Sequence, residues 1–203
     1  SSANYTLSYT PGILTVTPAT LLVMANNLSR PYGQTNPAFT VTYTGFVNGD
    51  DENDLGGTLA FTSPAGIDSH VGVYPITPLG LTAPPNYVLS FVDGALTVTA
   101  APLIATADNQ SKLYGAVLPA FTGTLAGVQN GENITATFTT VATVSSNAGS
   151  YAITPVLADP DNKLGNYAVT LINGTLSITP VPLTITADNQ SKAYGAALPT
   201  LTA

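Results

Sequence analysis

ADNQSKLYG at residues 107–115 returns almost unchanged as ADNQSKAYG at 187–195, and more loosely as ANNLSRPYG at 25–33. A second phrase travels with it. NYTLSYTPGILTVTP (4–18) becomes NYVLSFVDGALTVTA (86–100) and NYAVTLINGTLSITP (166–180). The Tyr-Gly pairs (Tyr32-Gly33, Tyr114-Gly115, Tyr194-Gly195) are spaced by 82 and 80 residues, and so are the Asn-Tyr pairs that carry Tyr5, Tyr87 and Tyr167. Two independent markers with the same spacings define a module of about 80 residues, the mark of a repeat protein. Residues 1–18 read as the C-terminal hairpin of a preceding module. Residues 19–100 and 101–181 are whole modules, and 182–203 supply the N-terminal strand of a following one.

Between these markers, FTSPAGIDSHVGVYPITP (61–78) lies without gaps over FTTVATVSSNAGSYAITP (138–155). The two copies differ in length only near 50–60 and 156–165, which are therefore expected to be surface loops.

Strand signals fill each module. Leu176 and Ile178 alternate with Ser177 and Thr179, as Leu96 and Val98 do with Thr97 and Thr99. Alternation of this kind belongs to a half-buried strand. Thr occurs 31 times and suits a pleated surface. Asp93-Gly94 and Asn173-Gly174 sit between two such runs and predict two-residue hairpins. Six strands per module follow, near 102–108, 117–126, 134–140, 149–156, 166–172 and 175–180 in the second copy. One helical turn is expected near 46–55. The fold class is all-β: tandem small modules, with an Ig-like sandwich favoured and a β-grasp-like unit as the alternative. The joints (Pro18-Ala19, Ala101-Pro102, Val181-Pro182) are short and lack Gly, so neighbouring modules should be held semi-rigidly.

Composition excludes much chemistry. The 203 residues hold four Lys+Arg against eleven Asp+Glu, a net charge of −7, one His and no Cys. Four basic residues cannot coat a phosphate backbone, which argues against nucleic acid. Without cysteine there is neither a disulfide nor a thiolate metal site. No run of 18 apolar residues exists, so no membrane insertion is expected in this segment. Asp68, Ser69 and His70 are consecutive, and consecutive strand residues do not converge on one substrate atom. No enzyme is expected.

The repeat also sorts the remaining residues. Tyr5, Tyr87, Tyr167, Tyr32, Tyr114 and Tyr194 stand at repeated positions and read as core aromatics whose hydroxyls reach the backbone. Arg30, Lys112 and Lys192 share one position, two before each Tyr-Gly. That regularity predicts an ion pair or a carbonyl contact near a module joint. Asp50, Asp51 and Asp54 in one loop, and Asp159 and Asp161 in another, are weak candidates for calcium, which takes six to eight oxygens. No other cofactor is implied.

In the blocks ADNQSKxYG, LPAFTGTLAG, GSYAITP and NYAVTLINGTLSITP, the chain resembles the MBG (YGX-type) repeat modules of large bacterial secreted proteins, both adhesin-like and filamentous-haemagglutinin-like. The resemblance covers the whole chain in phase. It implies an extracellular, cell-surface segment acting as a stalk or fibre, with neighbouring modules and other copies of the protein as partners. It carries no catalytic residues. An adhesive module reading a glycan or host protein through loops 50–60 and 156–165 is the alternative.

Overall fold

The computed structural model describes residues 4–203. The described residues fall into two compact units: residues 4–101 with 129–131 and 165–168, and residues 102–128, 132–164 and 169–203.

The first repeat contains β1 (Ala19–Ala25), β2 (Leu28–Pro31), β3 (Val41–Thr44), β4 (Gly56–Thr62), β5 (Gly72–Thr82), β6 (Tyr87–Val92) and β7 (Gly94–Thr99). Two sheets result, ordered β3-β1-β6 and β2-β7-β5-β4. Both are mixed, because β1 runs parallel to β6 and β2 parallel to β7. The second repeat gives β8 (Ala101–Ala107), β9 (Gln110–Leu113), β10 (Gly123–Ala126), β11 (Thr135–Thr140), β12 (Gly149–Ala158), β13 (Tyr167–Ile172) and β14 (Gly174–Thr179). Its sheets, β10-β8-β13 and β11-β12-β14-β9, repeat the same plan. The fold is all-β and sandwich-like. The only helical turns among the described residues are 3-10 turns at Glu52–Asp54 and Leu164–Asn166. Neither could serve as the helix of a β-grasp unit.

Alternation becomes burial as expected. Leu21, Val23 and Ala25 of β1 point inward, as do Leu96 and Val98 of β7. Ala25, Ala65, Ile76 and Leu96 form one core, with Phe39, Phe61 and Tyr74 against it. The second core is built from the matching residues Ala107, Ala142, Ile153 and Leu176, with Phe121, Phe138 and Tyr151. Each fully buried aliphatic side chain contributes about 2 kcal/mol.

Three expectations are corrected. Each repeat has seven strands, because a short strand precedes Tyr-Gly (β2, β9), in the second copy in the polar run NQSK that the six expected strands left out. Only 123–126 of the expected strand 117–126 is strand. Second, Asp93-Gly94 and Asn173-Gly174 are not hairpin turns. The strands on either side belong to different sheets, and neither glycine has a positive φ. The chain crosses there from one sheet to the other. Glycine is needed for close approach: a Cβ on Gly94 would lie 2.5 Å from the carbonyl oxygen of Ala25, and one on Gly174 would lie 2.4 Å from that of Asp108.

Third, the length differences are only partly loop. In the first copy β4 begins at Gly56 and takes up one residue of the difference in a register shift between Gly57 and Ala60; in the second, β12 runs on to Ala158. Residues 5–18 and 180–203 form no strand. In a whole repeat, strands of the β6 and β7 kind take their ladder bonds from β1, β2 and β5.

Candidate functional site

The Tyr-Gly turns hold the unusual chemistry. Arg30 on β2 is 4% exposed and Lys112 on β9 is 8% exposed, in a chain with four basic residues. Neither meets a carboxylate in these contacts. Arg30 donates through Nε to Asn36 Oδ1 at 2.7 Å, and through its two terminal nitrogens to the carbonyls of Pro31 and Gly66. Asn36 passes the contact on to the Ala65 carbonyl at 2.7 Å. Lys112 Nζ donates to the carbonyls of Ala116 at 2.9 Å and Val144 at 3.1 Å. The shared position is a clamp: one buried cation ties the Tyr-Gly turn to the loop that follows β4 or β11. Carbonyl dipoles, not an ion pair, neutralise it. Lys192 is exposed and keeps one of these bonds, to Ala196 O at 3.1 Å.

The Asn-Tyr positions form a second repeated device. Tyr87 is 6% exposed; its hydroxyl donates to Asp50 Oδ2 at 2.7 Å and accepts from the Val47 amide at 3.0 Å. Tyr167, 7% exposed, accepts from the Gln129 amide at 2.9 Å in the same way. The bond to Asp50 pushes the Tyr87 phenol above its ordinary 10.0. Tyr5 and Tyr194 are exposed.

Within the first unit, Tyr32 is 1% exposed and packs edge-on against Tyr167, ring centres 5.6 Å apart. Beside them Gln34 Nε2 donates to Gln129 Oε1 at 3.3 Å. Asn166 is buried, and its Oδ1 accepts from the Val71 amide at 3.1 Å and lies 3.0 Å from His70 Nδ1. Sequence reading named these tyrosines and expected their hydroxyls at the backbone, but missed Gln34, Gln129 and the asparagines. The signal was present in the constant Asn before each Tyr.

The acidic loops are occupied locally. Asp51 and Asp54 cap the 3-10 turn reciprocally, and Asp50 serves Tyr87. Asp159 accepts from the amides of Lys163 at 2.9 Å and Leu164 at 2.7 Å. Among the described residues no group of three or more His, Cys, Asp or Glu is placed to share a metal ion. Asp68 and Asp161 add nothing to such a group, and Ser69 Oγ accepts from the Gly66 amide.

The Lys163 amide first, then that of Leu164, holds the Asp159 carboxyl below its ordinary 3.8. A depressed folded value means that the stabilisation is present above 3.8 and is lost as pH falls through the lower folded value. An NMR titration should therefore show Asp159 titrating below 3.8, with the 159–166 turn loosening in the same acid window. Asp159→Asn should abolish that window. Titration of Asp159 at its ordinary value would refute the turn geometry.

No helix of the described residues is long and apolar enough to cross a membrane. The chain matches no curated protein and no solved structure. The family model for the MBG domain (YGX type) matches it twice, over residues 21–97 and 103–177, in phase with the clamps and the Asn-Tyr devices. On those two matches, which together span most of the sequence, the chain belongs to the YGX-type MBG domain family as a tandem pair.

Proposed function

We propose that the chain is a structural repeat segment of a long extracellular bacterial surface protein, acting as a semi-rigid stalk or fibre. The observation that carries this reading is the joint. β7 ends at Thr99 and β8 begins at Ala101, leaving one residue between the last strand of one repeat and the first of the next. A linker that short allows little independent motion. Length can then be set by repeat number. Arg30 and Lys112 are spent on carbonyls, Tyr87 and Tyr167 on backbone amides, and Asp51, Asp54 and Asp159 on turns. An acidic, charge-poor surface fits an envelope-anchored rod that must not stick unspecifically.

Edge strands offer a route to lateral pairing. β4 is blunted by its register shift, whereas β11 is regular along Thr135–Thr140 and is the better candidate. Adhesion through the two loops is the second reading. It is favoured by the rigid, locally capped turns at Asp51–Asp54 and Asp159–Leu164, on which the two copies differ most.

The test is a series of proteins with two, four and six repeats, measured by small-angle scattering and electron microscopy. Maximum length should grow by about 30 Å per repeat, the size expected for about 80 residues. Collapsed particles whose length does not track repeat number would refute the stalk. A single-module glycan array with a reproducible hit would favour the adhesive reading.

A further inference from the structure

β11 ends its four-stranded sheet, and so does its counterpart β4. β4 belongs to the repeat that another follows in the chain, β11 to the repeat that another precedes. The open edge is therefore a property of the repeat and does not depend on where the sequence begins or ends.

One proline tells which groups this edge offers. Phe138 stands opposite Pro155, and proline has no N–H to exchange. The pairs that exchange ladder bonds are then the alternate ones, Thr137 with Val156 and Thr139 with Thr154. The N–H and C=O groups of Ala136, Phe138 and Thr140 face away from β12, along the open edge. The side chains exposed on β11 are Thr135, Thr137 and Thr139.

The two copies treat the edge differently. Natural sheets blunt their edges with charge, proline or a bulge. β4 has all three: the acidic stretch 50–54 just before it, the register shift between Gly57 and Ala60, and Pro64 just past its end. β11 has none of them. It pairs in unbroken register from Thr135 to Thr140, and Val141, 89% exposed, stands where the first copy has Pro64. Residues 133–158 contain no charged side chain.

We propose that β11 pairs antiparallel with the β11 of a second copy of the chain, about a two-fold axis at Phe138, so that two four-stranded sheets become one. Ala136 then exchanges backbone bonds with Thr140 of the second copy, and Phe138 with its own counterpart. Main-chain bonds of this kind carry the affinity when a strand is added to a sheet. Thr137 comes opposite Thr139 of the second copy in a non-exchanging pair, where side chains lie closest and Thr–Thr contacts are favourable. Charge argues for the second copy as occupant: an uncharged strand meets itself without repulsion, whereas β4 would bring two acidic stretches together. The contact is self-complementary and closed, so it joins stalks side by side in pairs and does not lengthen them. The proposal rests on the stalk reading and adds to it the contact between stalks.

A single strand pair is a small interface, so sedimentation velocity of the 203-residue protein should span ~1 µM to ~1 mM, where dimer should grow with concentration. Thr137→Lys with Thr139→Lys in one chain sets like charges opposite each other and should weaken dimerisation at least about tenfold. Thr137→Glu with Thr139→Glu should do the same, and an equal mixture of the two variants should dimerise again. Both positions are exposed, and Thr137 gives up a 3.4 Å contact to the Val156 carbonyl. Hydrogen-exchange protection at 150–155 should therefore be unchanged in each variant, which separates lost pairing from lost folding. Thr137→Cys and Thr139→Cys chains, mixed under mild oxidation, should form the mixed disulfide in preference to either homodimer. A wild-type monomer at every concentration would overturn the proposal and leave the edge to a strand of another protein. Dimerisation that survives the paired lysines, or a preference for homodimeric disulfides, would overturn it too. None of these failures touches the stalk reading, because length against repeat number tests that separately.

Discussion

Arg30→Ala should lower the stability of the first repeat by about 3 kcal/mol, and Arg30→Lys by about half as much. The guanidinium is buried and serves Asn36, Pro31 and Gly66 at once. Truncation leaves those acceptors without their donor and opens a cavity beside Ala65; a buried unsatisfied group alone costs about 1–3 kcal/mol. Lysine keeps a cation able to reach two carbonyls, the solution Lys112 already uses in the second repeat. Because dipoles rather than a carboxylate face the charge, added salt should change the loss little. Urea unfolding with hydrogen exchange over residues 63–70 measures both. A loss under about 0.5 kcal/mol, the range of an ordinary surface substitution, would remove the clamp from the account.

Gly174→Ala is expected to cost the second repeat about 3 kcal/mol or more. The new Cβ would lie 2.4 Å from the Asp108 carbonyl oxygen and 2.8 Å from that of Ala107. Both obstacles are backbone, so no side chain can swing aside, and overpacking of this sort lies at the upper end of its usual range. A hairpin glycine would behave differently. Were Asn173-Gly174 a two-residue turn, substitution would strain φ but meet no neighbour. Unfolding of Gly174→Ala with hydrogen exchange at Asp108 separates the cases: loss of protection there is the expected sign of a sheet crossing, and unchanged protection would favour the turn.

The repeat, the all-β class and the core were legible because they rest on spacing and alternation. Leu96 and Val98 announce an inward face whatever lies around them. The strand pairing was not legible. Asp93-Gly94 carries a turn signal, yet its glycine answers a long-range demand, the approach of Ala25 from the first strand of the repeat. Local patterns do not encode which sheet a strand joins. Gln110–Leu113 was missed for a related reason: its polar run looks like a loop, and becomes a strand because β14 offers a parallel ladder and the carbonyls around Lys112 accept its charge. Repetition marked Arg30 and Lys112 as constrained. Their geometry needed coordinates, because the acceptors are backbone carbonyls, which every residue possesses and no motif displays.

Amide-resolved hydrogen exchange by NMR on the intact chain tests most directly whether one small β-unit is built twice. Protection should rise and fall in the same order along both copies, strongest at 21–25, 73–78 and 95–98 and again at 103–107, 150–155 and 175–178, with the amides of Val47 and Gln129 both slowed by their tyrosine hydroxyls. Protection confined to one copy, or strong in unlike places in the two, would contradict the account.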